Sequence, residues 1–93
     1  MVMNDHYVDL TQLENGEAAK VVELQGGHQV VNKLEAMEII PGSVIVKKSA
    51  SLMKGPVVIE KGNMQFAIGY GMAKKILVEP LKKDRPVQKE QAL

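Results

Sequence analysis

The chain predicts a mainly β fold: a small, partly open barrel of about five strands with one short α-helix between the first and second strands. Three observations carry this. β-branched and apolar residues gather in five short runs closed by Gly, Pro or Asn turn pairs, and only one stretch has helical periodicity. The ordered part, about seventy residues, is too short for a two-sheet sandwich.

The elements follow in order. In "DLTQLENGE" Leu10 and Leu13 stand three apart, as in a single helical turn, and Asn15-Gly16 is a strong turn pair. From Glu17 to Leu24 the alternation of Ala19 and Val21 with Lys20 and Val22 predicts the first strand. Gly26-Gly27 breaks it, and in "HQVVNKLEAM" the residues Val30, Val31, Leu34 and Met37 take up helical spacing. That helix must end before Pro41, which disfavours the α conformation at Ile40 and forms a turn pair with Gly42. "SVIVKKS" predicts the second strand, with Val44 and Val46 on one face, followed by the polar loop "SASLMKG". "PVVIEKG" and "MQFAI" predict a hairpin turning at Lys61-Gly62-Asn63, with Met64, Phe66 and Ile68 alternating against Gln65 and Ala67. After Gly71, "MAKK" allows at most one helical turn before a last strand at Ile76, Leu77 and Val78. Residues 8–80 are therefore expected to form one domain, with a flexible N-terminus at 1–7 and a flexible, charged C-terminal tail at 81–93.

Composition narrows the function. Twelve basic and eleven acidic residues leave a net charge of +1, too little to draw the chain to nucleic acid or anionic lipid. With no cysteine, thiolate chemistry, disulfides and Cys-based zinc sites are excluded, and a cytoplasmic location is expected. The longest uncharged stretch, Gly62 to Ala73, is far short of the ~20 residues a spanning helix needs, so no direct membrane insertion is expected.

No catalytic, cofactor or metal site emerges from the residues. Gly69-Tyr70-Gly71 could belong to a phosphate-binding loop, but Lys74 stands where a dinucleotide fingerprint needs its third glycine, and a strand follows instead of a long helix. The two glycines are instead expected to permit positive φ at a corner. No GxxxxGK[ST] motif occurs. His6 with Asp5 and Asp9 offers metal-ligand types, yet the segment is a chain terminus with nothing to fix its geometry. His28 has no second His nearby and is expected at the helix start. Met37 and Met64 are expected to fill the core, and Met53 to be an exposed contact; Met72 completes a set whose spacing suits no metal. The doublets Lys47-Lys48, Lys74-Lys75 and Lys82-Lys83, like the scattered glutamates, are expected on solvated faces.

The order of these signals resembles the FeoA family, small cytosolic proteins of bacterial ferrous iron uptake. The matching residues are Leu10, Leu13, Gly16, Ala19, Val21, Gly26-Gly27, the "KLEAM" helix, "IIPG" at 39–42, "GPVVI" at 55–59 and "FAIGYGMAKKILVE" at 66–79. The resemblance implies an SH3-like barrel without catalytic residues or cofactor, acting through protein-protein interaction with the ferrous iron permease, at its cytosolic guanine-nucleotide domain or another cytosolic face. Iron-dependent repressors carry the same barrel type, so the alternative it implies is a metal-dependent regulatory module. Two departures stand out. Glu38 occupies a place where the family usually has glycine, and would cost about 1 kcal/mol if that place needs positive φ. Lys33 stands where Arg is frequent, which would weaken any bidentate carboxylate recognition. For a partner-binding surface the expected residues are Leu52 and Met53, apolar in a polar loop, then Lys33 and Tyr70.

Overall fold

The computed structural model describes residues 7–50 and 53–81. The strands are β1 (Val8–Asp9), β2 (Ala18–Leu24), β3 (Val44–Ala50), β4 (Val57–Lys61), β5 (Met64–Ile68) and β6 (Ile76–Pro80). A 3-10 turn (Leu10–Gln12) follows β1, helix α1 (His28–Ala36) joins β2 to β3, and the four-residue helix α2 (Tyr70–Ala73) joins β5 to β6. All pairings are antiparallel, and the strands lie in the order β1-β6-β2-β3-β4-β5. The five long strands and the helix between the first two of them agree with the sequence expectation. The sixth strand is two residues long, too short for any alternation to show.

Register shifts between Val21 and Glu23 in β2, and between Lys47 and Ser49 in β3, curl the sheet around its core. Alternation puts Ala19 and Val21 of β2, Ile45 of β3, Val57 and Ile59 of β4, Ile68 of β5, and Ile76 and Val78 of β6 inside. Leu10, Leu13, Leu34, Ile39 and Ala73, from outside the strands, complete the core. Val44 and Val46 do share a face, but it is the outer one, and Val44 is half exposed.

The inner face of β3 corrects a second expectation. Lys47 is not solvated: its side chain follows Ile45 inward and the residue retains 5% of its exposure. Its ammonium donates to the carbonyls of Thr11 at 3.1 Å and Leu13 at 2.6 Å. These carbonyls lie in and just after the 3-10 turn, where helical hydrogen bonding runs out, so the buried cation meets two acceptors that would otherwise be orphaned. Asp9 caps the other end of that turn, accepting from the Thr11 N–H while the Asp9 N–H donates to Gln12.

Helix α1 ends on a Schellman motif: the Glu38 N–H donates to the Glu35 carbonyl at 2.8 Å and the Ile39 N–H to the Leu34 carbonyl at 2.9 Å. This geometry requires the left-handed conformation at residue 38, and Glu38 has φ 62°. The position at which glycine was expected therefore does need positive φ, and this chain meets the need with a glutamate. Beyond it, Ile40-Pro41-Gly42-Ser43 is a turn closed by the Ser43 N–H on the Ile40 carbonyl, with Gly42 at φ 96° in the third place.

Candidate functional site

A concavity lies between the two helices. Gln29, Lys33 and Ala36 fall four and three residues apart along one face of α1, and with Val30 and Asn32 they face Met72 of α2 across a groove of about 540 Å³. Val30, Ala36 and Met72 make its lining apolar, and Gln29, Asn32 and Lys33 supply its polar part. Lys33 has no ion-pair partner among the described residues. A second, smaller groove of about 190 Å³ continues past Ala36 and is lined by Met37, Glu38, Lys61, Met64 and Phe66. The concave surface thus runs along α1 from the α2 side to the β4-β5 hairpin, with Ala36 common to both parts.

The expected partner residues distribute as follows. Lys33 lines the larger groove. Tyr70 opens α2 two residues before Met72, half buried, with the Lys74 ammonium 5.8 Å above its ring. Met53 is 91% exposed and has φ 62°. Because Ala50 pairs with Val57, and Val57 with Ile68, the loop carrying Met53 leaves the same end of the sheet from which Gly69 and Tyr70 depart. Leu52 lies outside the described residues. The structure adds Val30, Ala36 and Met72, which sequence reasoning did not single out as surface residues. Ala36 belongs to the helical stripe at 29, 33 and 36, a signal legible only once a facing element was known, whereas Val30 lies beside that stripe and Met72 on α2.

Gly69 and Gly71 turn the chain, but not through positive φ, as had been expected. Gly69 has φ −56° as the residue preceding α2, and Gly71 lies within α2. A four-residue helix provides no phosphate cradle. Met37 does pack against the core, whereas Met64 does not fill it: at the hairpin end of an outer strand it remains 60% exposed. His28 is exposed at the start of α1, and His6 lies outside the described residues. Among the described residues no three His, Asp or Glu side chains gather to hold a metal ion. No described helix is long and apolar enough to cross a membrane.

An open, curled six-stranded sheet with one inserted helix and an apolar groove is the plan of a small SH3-like β domain. The FeoA domain profile matches residues 8–80, and the chain belongs to that family, which is associated with ferrous iron transport and is generally non-catalytic. The crystal structure of an iron uptake regulatory protein, FeoA, is 36% identical, covering 81% of this chain and 99% of that one with a TM-score of 0.75. Iron(II) transport protein A from Clostridium thermocellum is 26% identical, covering 80% of this chain and 46% of that one, with a TM-score of 0.74. A manganese-dependent transcriptional repressor, at 16% identity, 81% and 42% coverage and a TM-score of 0.75, shares the fold alone. None of the curated proteins matches the chain.

Proposed function

We propose that this chain is a non-catalytic accessory protein of bacterial ferrous iron uptake that binds the cytosolic part of the ferrous iron permease, at its guanine-nucleotide domain. Family membership supports the transport role. The observation that carries the mode of action is the groove between α1 and α2: an apolar lining beside a Lys33 that has no ion-pair partner among the described residues suits an apolar protein segment bearing a carboxylate, not a small-molecule reaction. Tyr70 and Met53 extend this face along one end of the sheet. Both are residue types that serve adaptable protein contacts.

The test is calorimetric titration of the permease's cytosolic domain with wild type, Lys33→Glu, Met72→Asp and Met53→Ser. Lys33→Glu and Met72→Asp are expected to weaken binding at least about tenfold, a loss of about 1.4 kcal/mol. Met53→Ser is expected to weaken it less, since a rim contact stays partly solvated. Unchanged binding by both groove variants would overturn the groove as the docking face. Saturable Fe²⁺ binding by the isolated chain, without permease binding, would favour the regulatory alternative.

A further inference from the structure

The last strand of the sheet poses a problem that the permease does not address. β5 pairs with β4 on one side only, and among the described residues no strand lies on its other side. The two-residue loop Gly62-Asn63 joins Lys61 to Met64, so the hydrogen-bonded pairs along this hairpin are Lys61 with Met64, Ile59 with Phe66 and Val57 with Ile68. The main-chain groups of Gln65 and Ala67 therefore point away from β4, and they make no other backbone hydrogen bond among the described residues. Both residues are exposed.

Natural sheets blunt such an edge with charge, proline or a bulge. β5 has none of these: Met64-Gln65-Phe66-Ala67-Ile68 is uncharged, sits within the longest uncharged stretch of the chain, and pairs with β4 in unbroken register. A net charge of +1 gives two copies of the chain little reason to repel each other.

We propose that this edge pairs antiparallel with β5 of a second copy, about a two-fold axis through Phe66. The register is self-complementary. Gln65 faces Ala67 of the second copy and Ala67 faces its Gln65, so the four free N–H and C=O groups on each edge are satisfied together. Phe66 meets Phe66 of the second copy as a non-hydrogen-bonded pair, on the face where Met64 and Phe66 already border the smaller groove beside Met37. Asn63 comes opposite Gly69 of the second copy. Gly69 needs no positive φ, and a Cβ there would meet nothing within 4 Å inside this chain. The site is thus open to a close approach by another backbone.

Sedimentation equilibrium of the full chain, from micromolar to millimolar concentration, is expected to show the mass rising from 10.2 kDa towards twice that value. Ala67→Pro removes an edge N–H that β4 does not use, and is expected to hold the chain monomeric with its circular dichroism unchanged. Because the chain has no cysteine, single substitutions give an unambiguous second reading. Paired non-hydrogen-bonded Cα atoms lie about 4.5 Å apart, inside the ~4.4–6.8 Å range of a disulfide. Phe66→Cys is therefore expected to cross-link at least about tenfold faster than Val44→Cys, although Val44 is the more exposed site. A monomer at every concentration, or a Val44→Cys rate equal to that of Phe66→Cys, would overturn the proposal.

Discussion

Replacing Glu38 by glycine should stabilise this protein although it removes every side-chain contact at the site. Glu38 sits at φ 62° because the Schellman hydrogen bonds of Ile39 and Glu38 leave no other conformation open. A residue with a Cβ loses about 1–2 kcal/mol there, and glycine does not. Against this gain, glycine frees the unfolded chain and costs about 0.4–1 kcal/mol. The only ion pair at stake among the described residues, to Lys61 at 3.7 Å, involves a Glu38 side chain that is 82% exposed, and such pairs contribute next to nothing. The net expectation is a gain of about 0.5–1 kcal/mol, or roughly 2–8 °C in melting temperature for a domain of this size. Urea denaturation of wild type, Glu38→Gly and Glu38→Ala decides it. Alanine keeps the Cβ and loses the ion pair, so its midpoint should stay near wild type while that of glycine rises. A glycine variant no more stable than wild type, or an alanine variant matching it, would refute the assignment of strain to the left-handed backbone.

Three further changes test the packing. Lys47→Met keeps the length of the side chain but leaves the Thr11 and Leu13 carbonyls without their donor; a loss of about 1–3 kcal/mol is expected by the same denaturation assay. Equal stability would mean that water replaces the ammonium. Leu34→Ala empties a fully buried position beneath α1 and should cost about 2–5 kcal/mol. Gly42→Ala meets no steric obstacle but must adopt φ 96°, so about 1 kcal/mol or more should be lost.

Much of the sheet was legible because its inner positions obey a period of two: Ala19 and Val21, Val57 and Ile59, and Ile76 and Val78 all alternate with more exposed neighbours. Lys47 was not legible for the same reason. A lysine in an alternating strand signals the outer face, and what reverses the signal is a pair of carbonyls 34 and 36 residues away. Gly69 and Gly71 misled in the opposite direction, since glycine suggests positive φ and here serves a helical turn. Glu38 was visible only through the family resemblance, because no local pattern marks a helix end that lacks glycine. Of the groove only Lys33 was anticipated: its two walls are α1 and Met72, and only the fold brings them together.

The central claim is that the α1-α2 face docks onto the permease. An amide-shift titration of the labelled chain with the cytosolic domain of the permease, with Fe²⁺ alone as control, tests it most directly. Saturable shifts gathered at Val30, Lys33, Ala36, Tyr70 and Met72, and none with Fe²⁺ alone, are the predicted result. No shift with the permease domain, or shifts confined to β2 and β3 around Lys20 and Lys48, would contradict it.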